Sequence, residues 1–226
     1  MSVAQDGASG SGMSMEPGIS ADGRWIIFES SADDLVPEID GYTGENIADT
    51  NGMIDIFVYD RQSESIRRVN LSSDGEQSNN NSSLPGISAD GRWVVFWSLA
   101  DNLVPGAGRG IYLYDRSTET MQFIIDGFAP TISPDSPLAG DSSEWGQQVF
   151  FRDQKAETFA LLSAAPNGLP GNNSSASPSL SANGRLCLRP RDRDNRVGEL
   201  GGRAVTKMFR DCNTTLQHRD TFATRL

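Results

Sequence analysis

The sequence contains few of the residues that catalytic and metal sites most often use. It has one histidine, His218, and two cysteines, Cys187 and Cys212. These lack the paired Cys and His spacing of a zinc site, and two cysteines are too few for a disulfide framework, so their pairing stays open. No Gly-x-Ser-x-Gly motif is present to accompany His218. We therefore predict no catalytic residues, no organic cofactor and a chain that is not an enzyme.

Long apolar segments and a basic body are missing as well. No run of eighteen apolar residues occurs, so we expect no membrane span, and residues 1–7 show no signal peptide. Residues 1–184 carry 9 Lys and Arg against 25 Asp and Glu, a net charge of −16, whereas residues 185–226 carry a net charge of +5. Because phosphate contacts need a basic surface, we expect no nucleic-acid partner.

A long internal repeat dominates what is present. Residues 17–37 and 85–105 are identical at 16 of 21 positions, and both open with Pro-Gly-Ile-Ser-Ala-Asp-Gly-Arg-Trp. A second matched block follows each copy, at residues 56–61 and 111–116, with 13 extra residues in the first copy. Weaker copies open at Pro130 and Pro178. Near-identical copies at this spacing indicate a repeat architecture.

The copies divide the chain into units. Residues 1–16 are the end of a preceding blade or a lead-in, residues 17–84 a first blade with the 13-residue insertion, and residues 85–129 a second blade. We predict an irregular third blade over 130–177. The remainder, 178–226, is either a degenerate fourth blade or a poorly ordered basic tail.

Each unit is expected to contain four short strands. In the first unit these are Ile19–Ser20, residues 24–29, residues 56–60 and residues 66–69, with Asp22 and Gly23 supplying a tight turn. Four strands in about 45 residues are typical of a β-propeller. A β-sandwich of seven or eight strands would explain the strand content but not the repeat. The predicted fold is therefore an all-β propeller of four-stranded antiparallel blades, with about three to four blades in this chain.

The repeated motifs resemble the WD40-like repeat of TolB-type propellers. The resemblance is carried by Pro-x-Ile-Ser-Ala-Asp-Gly-Arg, by the strand ending in Phe-x-Ser and by Ile-Phe/Tyr-x-Tyr-Asp-Arg. It is close over residues 17–71 and 85–125, less close over 126–185 and weak beyond. It implies a periplasmic or extracellular protein whose blades present loops to a partner, without chemistry of their own. The function expected from it is a binding scaffold that recognises a protein or a glycan.

Two alternatives remain open at this point. The blades could be the propeller portion of a larger enzyme, a serine peptidase gating domain or a propeller lyase, whose catalytic part lies outside this chain. A propeller closes with about 4–8 blades, so the units found here indicate an incomplete propeller. We expect either a piece of a longer propeller or self-association with another copy to complete it.

The insertion in the first unit contains a candidate calcium site. Asp49, Asn51 and Asp55 place oxygen side chains at relative positions 1, 3 and 7, with Gly52 to bend the loop. This is part of the pattern of a calcium loop, although the other carboxylates of an EF-hand are missing. The alternative interpretation is an Asx turn that leads into the third strand.

Two further sets of residues have structural interpretations. Asp60 and Asp115 end matched strands, and we predict that each carboxylate caps the following turn. Trp25, Trp93 and Trp97 are expected to pack between blades, because aromatic side chains dominate such cores.

Overall fold

The structure is a computed structural model that describes residues 4, 7–37, 47–133, 138–142, 148–153, 158–161, 179–180 and 186–187. Every regular element in these ranges is a β-strand. The described residues contain no helix long and apolar enough to cross a membrane.

The strands form three four-stranded antiparallel blades and one two-stranded fragment. Within each blade, hydrogen-bonded neighbours follow chain order, which confirms the predicted all-β propeller of antiparallel blades. Blade one consists of β1 Ser14–Ile19, β2 Trp25–Ser30, β3 Asp55–Asp60 and β4 Ser65–Arg68; blade two of β5 Ser82–Ile87, β6 Trp93–Ser98, β7 Gly110–Asp115 and β8 Thr120–Ile125; blade three of β9 Gly127–Ile132, β10 Leu138–Ser142, β11 Gln148–Asp153 and β12 Thr158–Leu161; and the fragment of β13 Ser179–Leu180 and β14 Leu186–Cys187.

The first turn of blades one and two is built by the Ser-Ala-Asp-Gly-Arg segment of the repeat. In blade one, Asp22 Oδ1 accepts the Arg24 N–H at 3.0 Å, and Ser20 Oγ accepts the Trp25 N–H at 3.0 Å. Gly23 adopts a φ of 70°, which glycine reaches at little steric cost. Blade two repeats both bonds and the same φ at Gly91. The turn is therefore specified by residues close together in sequence.

An arginine–aspartate pair then links β2 to β3. Arg24 donates from Nε and Nη2 to the two carboxylate oxygens of Asp60, at 2.9 and 2.7 Å. Arg92 and Asp115 form the same bidentate pair in blade two. Asp60 Oδ1 also accepts the Gln62 N–H at 2.9 Å, and Asp115 Oδ1 the equivalent Ser117 N–H. The predicted turn caps are confirmed, and the arginine is the partner that the sequence interpretation did not name.

The first strand of each blade is longer than predicted. β1 begins at Ser14, ahead of the boundary predicted at Pro17, whereas the prediction had only Ile19 and Ser20 in this strand. The strand continues because the residue before the proline takes a positive φ, 50° at Glu16, and the pairing with β2 resumes at Gly18 after a bulge. A bulge accommodates a proline, which cannot donate to the ladder. Leu84 and Ala129 repeat this conformation before their prolines.

Apolar side chains from facing sheets pack between successive blades. The first interface joins Ile27 and Val58 of blade one to Phe96 and Tyr112 of blade two, all fully or almost fully buried. The second joins Leu113 of blade two to Leu138 and Phe150 of blade three. Alternate residues of a strand point to opposite faces, so blade two contributes one set of side chains to each interface.

The tryptophans lie at these interfaces, as predicted. Trp25 belongs to blade one and contacts Gly91 of blade two. Trp97 of blade two meets Phe128 of blade three edge-to-face, with ring centroids 5.2 Å apart. Trp93 packs against the core between blades two and three. The first strands β1, β5 and β9 contact one another in succession, which places them on the shared inner side of the blades.

The described residues of the later units contain four strands in blade three, the third of which is β11. The predicted fourth unit contributes β13 and β14. Most of residues 178–226 lie outside the described residues. The choice between a degenerate fourth blade and a basic tail therefore stays a prediction.

Gly91→Ala and Gly23→Ala form a matched pair of substitutions. Both glycines have a φ of +70°, so an alanine at either position costs about 1–2 kcal/mol of left-handed strain. A Cβ at Gly91 would lie 2.3 Å from Trp25 Cδ1, whereas a Cβ at Gly23 would come no closer than 3.6 Å to any atom. We expect Gly91→Ala to lower the free energy of unfolding by about 1–3 kcal/mol more than Gly23→Ala, as measured by urea denaturation. Equal losses of unfolding free energy in the two variants would contradict a steric clash between a Cβ at position 91 and the Trp25 indole.

Candidate functional site

The two ends of the blades differ in the length of their loops. The turn end carries the short hairpin turns, residues 20–24, 61–64, 88–92 and 116–119. The opposite end, which we call the loop end, carries the longer connections between the second and third strands and between blades. Its described residues are 7–13, 31–37, 47–54, 69–81 and 99–109. Because propeller loops rather than strands contact partners, the loop end is the candidate functional surface.

Side-chain hydrogen bonds fix the loops at the loop end in the same way in two blades. In blade two, the Asn79 N–H donates to Asn102 Oδ1 at 3.1 Å, and the Asp101 N–H donates to Asn79 Oδ1 at 3.2 Å. In blade one, Ser11 stands at the position of Asn79, and its N–H donates to both carboxylate oxygens of Asp34 at 2.9 and 3.0 Å. These loops are therefore held by bonds between segments that are more than 20 residues apart.

Between these loops, blade one contains a buried polar cluster centred on Asp55. The Asp55 carboxylate is fully buried and accepts hydrogen bonds from Asn70 Nδ2 at 2.6 Å, Ser78 Oγ at 3.0 Å and Asn51 Nδ2 at 2.9 Å. Arg68 also approaches it, at 3.4 Å, so four side chains from three segments converge on one carboxylate. A buried carboxylate is tolerated only with such partners.

Arg68 lies between the carboxylates of Asp49 and Asp55. Its Nη1 is 2.8 Å from Asp49 Oδ1 and 3.4 Å from Asp55 Oδ2, and all three side chains are almost completely buried. The contact with Asp49 is close but not aligned as a hydrogen bond, so Asp49 Oδ1 has no hydrogen-bond partner. Arg68 Nε, on the same guanidinium, also has none. Gln77 holds the same insertion loop from outside, donating from Nε2 to the Ala48 carbonyl at 2.7 Å.

The environment of Asp49 changes its acidity. Burial raises the pKa of Asp49 from 3.8 to about 6; the nearby Asp55 charge also raises it, and Arg68 opposes both effects. The carboxylates of the turn end behave in the opposite way. Hydrogen bonds from Arg24 and Arg92 hold the pKa values of Asp60 and Asp115 well below their usual range.

The structure brings together the three residues of the predicted calcium site. Asn51 bonds to Asp55, Asp49 and Asp55 share Arg68, and Asn51 Oδ1 accepts the Met53 N–H at 2.8 Å. The last bond is the Asx turn proposed as the alternative interpretation, and it is confirmed. The cation between the two carboxylates is the Arg68 guanidinium, which calcium would have to displace. No group of three His, Cys, Asp or Glu side chains in the described part of the chain could hold a metal, so Asn51 would have to be the third ligand, and calcium binding stays a prediction.

Sequence reasoning did not identify Arg68, Asn70 and Ser78 as members of this cluster. The signal was available in the comparison of the two best copies, because Asp55, Arg68 and Asn70 stand where blade two has Gly110, Phe123 and Ile125. Polar residues in one copy and apolar or small residues in the other, at positions buried or half-buried in both, mark a feature that the repeat itself does not require. His218 and Cys212, and the side chain of Cys187, lie outside the described part of the structure.

No protein-family model and no curated protein matches this chain. Among solved structures, TolB from Acinetobacter baumannii is similar to this chain, with 17% sequence identity and a TM-score of 0.49. The match covers 85% of this chain, but this chain spans only 43% of the length of that TolB. A putative TolB from Agrobacterium tumefaciens is 14% identical, with a TM-score of 0.47; the match covers 81% of this chain and 72% of that protein.

A dipeptidyl peptidase 4 from Porphyromonas gingivalis is also similar, with 13% identity and a TM-score of 0.49 over 81% of this chain and 30% of the peptidase. All these identities are below 25% and all these TM-scores are below 0.5. The likeness therefore concerns the propeller fold alone, as the repeat predicted.

Thermal unfolding in calcium tests the predicted calcium site. A ligand that binds only the folded state raises the melting temperature, so the prediction requires a rise at millimolar calcium in the wild type. The rise should be absent in Asp49→Asn and should not occur with the same concentration of magnesium, which prefers a tighter octahedral site. An unchanged melting temperature at millimolar calcium would contradict the prediction.

The buried Asp49 predicts a pH dependence of stability. Its pKa is higher in the folded protein than the value of 3.8 in an unfolded chain, so folding takes up a proton between about pH 4 and 6. This carboxyl therefore lowers the free energy of unfolding as pH rises through that window. Asp60 and Asp115 contribute with the opposite sign at lower pH, since their stabilisation is lost as pH falls below about 4.

We expect Asp49→Asn to flatten the decline in stability between pH 4 and 6, as measured by urea denaturation at unit steps of pH. Asp74→Asn, which changes an exposed loop carboxylate, is the matched control and should keep the wild-type slope. Parallel curves for the wild type and Asp49→Asn would show that Asp49 does not titrate in this range.

Proposed function

We propose that this chain is a non-enzymatic propeller scaffold that binds a protein partner of net positive charge at its loop end. The observation that carries the proposal is the set of exposed carboxylates on loops that are already fixed. Asp33, Asp74, Glu76 and Asp101 are all exposed there. Loops that are ordered before binding lose little conformational entropy when a partner docks.

In the loop between blades one and two, hydrogen bonds fix the backbone and leave the carboxylates exposed to solvent. The backbone N–H groups of Asp74 and Glu76 both donate to Ser72 Oγ, at 3.3 and 3.0 Å. Leu71 and Gln77 form a β-bridge at the base of the same loop. The backbone is therefore held from within, while both carboxylates face solvent at the tip.

The charge of this end supports a basic partner and disfavours a nucleic acid. Arg109 is the exposed basic side chain in these loops, against the four exposed carboxylates named above. Complementary charge steers association and selects partners, whereas like charge repels phosphate. The resemblance of the repeat to TolB-type propellers supports a periplasmic or extracellular location for this interaction.

Selection of peptides on the immobilised chain tests the proposal. We expect the selected peptides to be enriched in Lys and Arg, and their affinity to fall as ionic strength rises. The double variant Asp74→Lys with Glu76→Lys should weaken binding at least about tenfold, because each reversal replaces an attraction by a repulsion. The double variant Glu64→Lys with Glu119→Lys, which reverses two exposed charges at the turn end, is the matched control and should bind like the wild type.

Equal losses in the two double variants would overturn the assignment of binding to the loop end. Selection of glycans but not of peptides would overturn the protein partner. Turnover of a peptide or oligosaccharide substrate by the chain would overturn the non-enzymatic role and favour the alternative of an enzyme-associated propeller.

A further inference from the structure

The turn end of blade two holds a tryptophan of blade one in a socket formed by Gly91 and Arg116. A Cβ at Gly91 would lie 2.3 Å from Trp25 Cδ1, so the indole rests directly on the glycine backbone. The Arg116 guanidinium lies 3.2 Å from the centre of the indole ring and donates to the Gly91 carbonyl. Ile87, at the end of the first strand of blade two, packs into the same interface. Gly91 and Arg116 thus hold one aromatic side chain, and Ile87 packs against the same core cluster.

Blade one carries the same three groups at the matching positions of the repeat. Gly23 has the φ of +70° found at Gly91, and Arg61 Nη1 donates to the Gly23 carbonyl at 2.9 Å, as Arg116 does to Gly91. Ile19 stands at the position of Ile87. The Arg61 guanidinium is therefore already held at the Gly23 carbonyl, as the Arg116 guanidinium is held at the Gly91 carbonyl beside the indole of Trp25.

Among the described residues, no ring occupies the blade-one socket, whereas Trp25 fills the blade-two socket. The atoms of these residues within 4 Å of a Cβ built at Gly23 are Arg61 Nη1 at 3.6 Å and Ile19 Cδ1 at 4.0 Å, and both belong to the socket itself. Gly23 is half-buried and Arg61 exposed, whereas Gly91 is buried and Arg116 half-buried. Ile19 is 58% exposed, which is unusual for a large branched side chain on an inner strand.

The local fold explains only part of this arrangement. The φ of Gly23 is required by the hairpin turn, so the glycine alone indicates nothing about a ligand. The exposed Ile19 and the Arg61 guanidinium are different, because β1 pairs with β2 and Asp60 caps its turn without either side chain. Arg61 also forms no ion pair among the residues that the structure describes. A guanidinium without a carboxylate partner, beside an exposed apolar side chain, is suited to stacking on an aromatic ring.

We propose that Ile19, Gly23 and Arg61 form a docking socket for the tryptophan of a further propeller blade, one whose second strand opens with Arg-Trp as β2 does. The interface between blades one and two defines the partner. A further blade packed in the same geometry on the opposite face of blade one would place its tryptophan at these three residues. The tryptophan would lie on the Gly23 backbone under the Arg61 guanidinium, with Ile19 against its edge. This surface lies at the turn end, so it is distinct from the loop end proposed to bind a basic protein.

A cyclic hairpin peptide with the sequence of residues 14–30 provides the probe, because it presents Trp25 at the start of a second strand. Backbone cyclisation is needed since an isolated two-stranded hairpin is only marginally stable. Binding of the fluorescently labelled peptide to the full chain is measured by anisotropy. We expect saturable binding, and a peptide carrying Trp25→Leu should bind about tenfold more weakly, because it retains apolar area but loses the stacking with Arg61.

Variants of the chain locate the binding. Gly23→Ala places a Cβ where the indole must lie, and Arg61→Ala removes the stacking group, so each should weaken binding of the wild-type peptide about tenfold. Gly75→Ala controls for left-handed strain, since Gly75 has a φ of +80° and no atom lies within 4 Å of its Cβ position. Arg67→Ala controls for loss of an exposed arginine. Both controls should bind like the wild type.

Three results would overturn the proposal. The first is no binding at millimolar peptide, and the second is equal binding of the wild-type and Trp25→Leu peptides. The third is equal weakening in Arg61→Ala and Arg67→Ala, which would indicate a general charge effect. Because Arg61→Ala changes an exposed side chain, it keeps the test valid even if Gly23→Ala lowers stability.

Discussion

The bidentate pair between the arginine that opens the second strand and the aspartate that closes the third is the interaction on which blades one and two depend. Arg24 and Asp60 lie 36 residues apart, and Asp60 is buried, while the guanidinium keeps partial access to solvent. The same aspartate caps the next turn, so one carboxylate fixes the relation of β2, β3 and β4. The pKa of Asp60 is held low because the ionised form receives all these bonds.

The pair also sets the contact between blades. Arg24 lies over the Trp25 ring at 4.4 Å from its centre, and Trp25 in turn sits on Gly91 beneath Arg116. A chain of contacts therefore runs from the strand pairing inside one blade to the packing of the next. Blades one and two carry the same residues at these positions, and blade one presents Ile19, Gly23 and Arg61 where blade two presents Ile87, Gly91 and Arg116.

The two best-preserved blades differ most at the loop end. Blade two fills the space beside its third strand with Phe123 and Ile125, while blade one uses Arg68 and Asn70 around the Asp55 carboxylate. A buried charged cluster contributes less to stability than apolar packing of the same volume, so its presence in one copy is not explained by the repeat. It anchors the insertion loop through Asp49 and holds the neighbouring loops in a fixed arrangement.

The sequence by itself determined the repeated unit and the propeller fold, because near-identical residues recur at a fixed offset. It also determined the turns, because these depend on bonds between residues two to five positions apart, such as Asp22 with Arg24. It also placed Asp49, Asn51 and Asp55 in one short loop. Only the tertiary structure decided that Arg68 lies between the two carboxylates and that Ser78 completes the cluster, since these partners are 13 to 23 residues from Asp55 and meet it through strand register. The bulges before Pro17 and Pro85, and the pairing of Trp25 with Arg116, were likewise settled by packing between strands and between blades, which no local pattern specifies.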